Sequence, residues 1–395
     1  MNKSAMPFQV WILTLAAFAI GTAEFVIAGI LPQIATSLSI SEGQAGHLIT
    51  AYALAIVIGG PLLTLYLARF NKKAVLAGLL VLFIAGNLLS AMAPSYPLLL
   101  VSRVIAGLAQ GPFFGIGSVV AAGLVADSMA GRAVGQMFAG LTLANVLGVP
   151  GGTWLGLQYG WHTTFIAVST FGFIALIFIV MTIKSNDHTD AKPIQTQLKA
   201  FKNPMLLSSL VITVFAWSGF MTLYGYLAPV AIHTTGFSEQ AVTWLLVSVG
   251  FGLIIGNTLG SHSSDNNLQR ASLLWSVAMI ASLLLVGRSL GNQPLFIAST
   301  FVFGIAAFAN VPAMQLRVMN HGGEGQELAA TANISAFNLA NAFGGFLGGT
   351  VLDGPLGADG IPYIATLLPL LGVMLIWRMN QRERPQSVLD APLCR

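Results

Sequence analysis

Two ionisable residues stand inside otherwise uncharged apolar runs: Glu24, in Gly21-Thr-Ala-Glu24-Phe-Val-Ile-Ala-Gly29, and Arg103. An ionised carboxylate at the centre of a membrane helix costs roughly 2.5–3.5 kcal/mol on insertion scales, so such groups are functional by default. Burial favours the neutral form of a carboxyl, and a neighbouring cation favours the charged form. A carboxyl held between those effects takes up and releases a proton. Proton coupling is therefore the chemistry open to Glu24, with Arg103 setting its charge state. A static ion pair that fixes helix packing is the competing reading of the same two residues.

Polar residues in other apolar runs form the next layer. Asn145, Trp217, Tyr224, Asn310, Gln315, Asn338 and Asn341 are candidates for binding a polar solute. Each, like Asn333, also suits a hydrogen bond between helices. Tyr224 and Tyr226 equally suit the aromatic belt at a membrane interface. Gly148, Pro150, Gly151 and Gly152 predict a bend. The histidines show no metal-ligand spacing, there is no phosphate-cradling glycine loop, and no nucleophile set sits in an apolar run. No metal, cofactor or enzymatic activity is expected.

The elements that position these groups follow from composition. Hydrophobic residues make up 55% of the chain and charged residues 8%, against roughly 25% charged in soluble domains. Lipid is then the solvent. Twelve charge-poor stretches can cross a bilayer: 8–31, 46–68, 74–93, 98–121, 133–155, 163–183, 205–230, 241–260, 271–290, 295–318, 329–351 and 361–378. Counted from the span ends, Glu24 lies about seven residues deep and Arg103 about five. At about 1.5 Å per residue they share a depth, so a direct pair is geometrically open to them.

The chain also resembles itself at an offset of 197 residues, pairing Pro32 with Pro229, Gly59 with Gly256, Lys73 with Arg270 and Gly107 with Gly304. A duplicated membrane chain predicts two matched bundles with a binding site at their seam. The expected fold is an all-α membrane protein of twelve transmembrane helices in two pseudo-symmetric six-helix bundles. Residues 1–184 form the first, 185–204 a cytoplasmic linker, and 205–395 the second with a short tail. Glu24 and Arg103 align with Met221 and Thr300, so the coupling chemistry is asymmetric. Ser41 and Ser238 read as helix N-caps followed by Glu42 and Glu239, a structural role.

All of the 17 basic residues except Arg103 and Arg288 fall on the side that holds both termini. The positive-inside rule puts that side in the cytoplasm. The net charge of +4 belongs to loops, with no basic stripe for nucleic acid. Cys394 is the only cysteine, so no intrachain disulfide forms.

Gly21-Thr-Ala-Glu24-Phe-Val, Gly111-Pro-Phe-Phe-Gly115 and Ser335-Ala-Phe-Asn338-Leu carry a resemblance over essentially the whole chain. It resembles a major facilitator superfamily transporter of the bacterial drug and sugar efflux type, similar to the arabinose-efflux-permease-like members of drug:proton antiporter group one. The resemblance implies a central cavity, alternating access and export driven by inward proton flow. It also implies a gating loop after span two, here Ala68-Arg69-Phe-Asn71-Lys72-Lys73, and its counterpart with Asp265 and Arg270. Ala68 stands where the family carries an acid, and span five reads Val-Pro-Gly-Gly where antiporters show Gly-Pro-x-x-Gly-Gly. The expected protein is an inner-membrane exporter of a small organic solute by proton antiport, its partners being solute, protons and lipid, working as a monomer. A proton-independent facilitator or uptake permease, and a non-transporting sensor or channel, are the alternatives.

Overall fold

Apolar residues without backbone partners in lipid must satisfy their N–H and C=O groups within the segment, and the helix does this. The computed structural model describes residues 6–67, 70–126, 129–183, 199–323 and 326–389, and among them there is no strand. Arg69, most of the linker and Cys394 lie outside the described residues.

The first half comprises α1 (Phe8–Phe25), α2 (Ile27–Leu38), α3 (Glu42–Leu67), α4 (Lys72–Ala91), α5 (Tyr96–Gly123), α6 (Ala130–Leu143), a π-helical segment Ala144–Gly148, α7 (Val149–Tyr159) and α8 (Trp161–Thr182). The second comprises α9 (Pro204–Tyr224), α10 (Leu227–Thr235), α11 (Glu239–Asn266), α12 (Leu268–Arg288), α13 (Gln293–His321), α14 (Gln326–Leu352), α15 (Gly357–Ile364) and α16 (Leu367–Leu389). Among the described residues, eleven candidate spans have the length and hydropathy to cross a membrane. The remaining span, α14, is long enough, but Asn338 and Asn341 lower its hydropathy. With it the spans number twelve, in two six-helix bundles. Large apolar side chains such as Phe173, Met181, Leu274 and Trp377 face outward, where lipid replaces water.

Helix starts follow local chemistry. Asn71, Asn203, Ser238, Asn267 and Asn292 each accept a first-turn N–H with the side chain, satisfying donors that have no intrahelical partner. Asn71 precedes Lys72 and Lys73, and Asn267 precedes Arg270, so these expected gating positions sit at matched helix starts. The backbone of Asp265 lies in α11, but its side chain is not described.

The duplication is written into the packing. A Cβ on Gly107 would lie 2.6 Å from Tyr52 O, and a Cβ on Gly304 would lie 2.8 Å from Val249 O. Adding 197 to both members of the first pair gives the second, so one close helix approach recurs in each half. The left-handed residues that end α2 and α10, Ser39 and Gly236, are related in the same way.

Three expectations change. Span one is not continuous over 8–31: α1 stops at Phe25 and α2 runs on to Leu38. Span seven breaks likewise, at Gly225-Tyr226, two to three residues past the position that the repeat offset gives. Tyr224 and Tyr226 are buried, not interfacial. The Tyr226 hydroxyl donates to Gly345 O at 2.5 Å, and its ring fills the space that a side chain at Gly46 would need. The expected break near Gly160 is present between α7 and α8, with Gly160 at φ +87°.

Candidate functional site

Glu24 occupies the last turn of α1, immediately before the break at Val26. It is 8% exposed. Oε2 accepts from Gln110 Nε2 at 2.6 Å, and Oε1 accepts from Asn341 Nδ2 at 3.2 Å. Gln110 belongs to the first half and Asn341 to the second, so one carboxyl ties the halves together. Both amides are held in orientation by further partners. Tyr52 Oη donates to Gln110 Oε1 at 2.7 Å. Trp217 Nε1 donates to Asn341 Oδ1 at 2.9 Å. Indole N–H can only donate, so it turns the oxygen of Asn341 toward itself and the amide nitrogen toward Glu24. Glu24 therefore meets two N–H donors, the surroundings that suit an ionised carboxylate.

Arg103 is fully buried but does not pair with Glu24: their charged atoms lie beyond the 4.0 Å of an ion pair. Its guanidinium instead covers the Tyr52 ring at 4.1 Å from the centroid, with Phe165 at 6.0 Å. Equal depth along two helices fixed one coordinate only, and Tyr52 with Gln110 fills the space between. The chain of contacts is Arg103, Tyr52, Gln110, Glu24. None of its three guanidinium nitrogens hydrogen-bonds within the described residues, so the aromatic face supplies its local stabilisation.

Among the expected solute-binding residues, Asn341 bonds Glu24 directly, Trp217 holds Asn341, and Tyr224 with Asn145 lies beside the neighbouring Phe25. Tyr224 Oη lies 3.4 Å from Asn145 Oδ1, and the Tyr224 ring meets Phe25. Trp217, Phe220, Phe308 and Phe337 form an aromatic wall from the second half, with Trp217 and Phe220 centroids 4.5 Å apart. The other three are engaged elsewhere. Asn310 Oδ1 accepts from Ser276 at 2.9 Å, Gln315 Oε1 accepts from Asn333 at 2.8 Å, and Asn338 Nδ2 donates to Ile334 O at 3.0 Å.

The expected bend is a π-helical segment carrying Asn145 and ending at Gly148, just before Pro150. A side chain at Gly148 would strike Thr22, and one at Gly152 would strike Val26, so this irregularity packs against the break that follows Glu24. Gly151 meets nothing within 4 Å and has no part in that packing.

Sequence reasoning missed Tyr52 and Gln110. A signal existed for Gln110: it follows Arg103 by seven residues, two helical turns, and so shares its face. Glu42, expected only as a structural acid following the Ser41 cap, also hydrogen-bonds His233 Nε2 of the other half at 2.8 Å. Ser41 and Gly43 reach Asp353 of the other half as well. Side-chain hydrogen bonds join the halves at the level of Glu24 and toward this Ser41 end. They include Thr50 donating to Ala342 O.

Two duplicated bundles meeting at a buried carboxyl define a membrane carrier. The chain belongs to the Major Facilitator Superfamily, whose family description matches residues 13–349. It is 38% identical over 383 residues to the inner membrane transport protein YdhP of Escherichia coli (strain K12), covering 96% of this chain and 97% of that one. It is 31% identical over 378 residues to a chloramphenicol resistance protein of Streptomyces lividans, covering 92% and 95%. A solved D-xylose-proton symporter shares the fold with a TM-score of 0.78 at 17% identity, over 95% of this chain and 98% of that one.

Proposed function

We propose that this transporter exports a small organic solute, a drug, sugar or related metabolite, in exchange for protons, with Glu24 as the proton-coupling group. The observation that carries the reading is the carboxyl of Glu24 bridging Gln110 of one half and Asn341 of the other. Ionised, it accepts from both amides and favours the arrangement in which the halves meet at the Ser41 end. A solute that binds the ionised carboxylate itself draws it off these donors, breaks the tie and lets the halves rock. A proton arriving from the far side then neutralises Glu24 and frees the solute. One charge moved through 100 mV is worth roughly 2.3 kcal/mol, enough to drive export. Arg103 stands behind Tyr52 and Gln110, linked to Glu24 only through them.

The skew of basic residues supports a cytoplasmic location for the Asn71 end and for both termini. The Ser41 end is then external, and the tied arrangement is closed to the outside. The relatives support export, since one carries the name of a resistance protein. The monomer, expected for a carrier that encloses its own seam, belongs to the same reading. Val149-Pro150-Gly151-Gly152, in place of the antiporter pattern, favours a second reading, a proton-independent facilitator.

Glu24→Gln in proteoliposomes separates the two. Antiport predicts that an imposed pH gradient no longer drives solute movement while exchange of solute for solute persists. Gradient-driven transport at the original rate would remove Glu24 from the mechanism.

A further inference from the structure

We propose that Asp353, just beyond α14, is a latch that holds the Ser41 end shut by capping α3 across the seam between the halves. Helix α3 begins at Glu42 with Ser41 as its N-cap, and the Ser41 hydroxyl accepts from Gln44 N at 3.0 Å. The same hydroxyl donates to Asp353 Oδ2 at 2.5 Å, and Gly43 N donates to Asp353 Oδ1 at 3.1 Å. One carboxylate from the second half thus takes a first-turn N–H of a first-half helix, where the helix dipole favours negative charge. Glycine at 43 is what allows the approach: a Cβ there would lie 2.4 Å from Asp353 Oδ2 and 2.5 Å from Gly349 O. Between these contacts, Glu42 meets His233 Nε2, near the end of α10, at 2.8 Å.

Three consecutive residues, 41–43, therefore hold two elements of the opposite half. All of these bonds need α3 docked on the second half, the Asp353 pair on the end of α14 and the Glu42 bond on α10, so separation of the halves loses them together. Their energy enters the balance between the closed and open Ser41 end. Helix α14 also carries Asn341, twelve residues before Asp353, or about 18 Å along one rigid element. The motion that parts Asn341 from Glu24 is the motion that withdraws the latch. The assignment goes beyond proton coupling and stands whether or not Glu24 carries the proton.

The test uses the full chain with Cys394→Ser, in nanodiscs, spin-labelled at Ser37→Cys and Gln240→Cys. Both positions are exposed at the Ser41 end of opposite halves. Pulsed dipolar spectroscopy reads the distance between them. Replacing an N-cap carboxylate by alanine predicts that Asp353→Ala raises the population of a longer distance about fivefold. Asp353→Asn keeps the shape and one acceptor, and should give a smaller rise; Ser41→Ala checks the other side of the contact. Unchanged distance distributions in variants that elute as the parent does would overturn the latch. A shifted distribution in a protein that ignores pH gradients would keep the latch and remove proton coupling.

Discussion

The two oxygens of Glu24 answer to different halves of the molecule. Oε2 faces Gln110, whose amide is turned by Tyr52, and Oε1 faces Asn341, whose amide is turned by Trp217. A buried carboxylate supplied with donors this way stays ionised at less cost than one left bare. The orientation of Asn341 depends on one indole N–H. Trp217→Phe keeps the aromatic wall but removes that donor, leaving the Asn341 amide free to turn its oxygen toward Glu24. The lost bond is worth about 1 kcal/mol. Exchange in proteoliposomes should slow about fivefold, with expression and melting temperature nearly unchanged. A wild-type rate would show that the orientation of Asn341 is immaterial.

Among the elements, close approach is set by glycines facing backbone oxygens. Gly107 against Tyr52 O and Gly304 against Val249 O are the same contact made twice. Backbone cannot yield as a flexible side chain does, so Gly107→Ala and Gly304→Ala should each cost about 1–3 kcal/mol. Both should lower the melting temperature of the detergent-solubilised protein. Gly151 is the contrast: with nothing within 4 Å, Gly151→Ala should be neutral or slightly stabilising. Equal effects from all three would mean that helix propensity, not packing, sets the outcome. Gly107 also packs directly on the backbone of Tyr52, so its substitution disturbs the relay to Glu24 as well as the fold.

For the whole molecule, orientation decides which end meets external protons. In intact cells expressing the Cys394→Ser chain, a membrane-impermeant maleimide should label Gln240→Cys at the Ser41 end and spare Asn320→Cys at the other. Both positions are exposed. The reverse pattern would invert the direction of transport while leaving the fold untouched. This experiment tests the charge skew at the scale where it acts, since membrane insertion reads loop charges and not the site.

The number of crossings, the duplication and the one intramembrane acid could be read from residue order, because lipid imposes long uncharged stretches and makes every charge within them conspicuous. The helix caps were equally local: a serine or asparagine before an apolar run suffices to mark them. Which groups Glu24 touches was another matter. Gln110, Tyr52 and Asn341 come from helices separated by dozens to hundreds of residues, and each amide is aimed by a partner that sequence spacing does not indicate. Arg103, placed beside Glu24 by depth alone, turned out to face an aromatic ring because rotation about a helix axis is settled by packing. The cap on α3 supplied by Asp353 has the same origin. A carboxylate can satisfy any helix terminus it reaches, and only the docking of one half on the other decides which one that is.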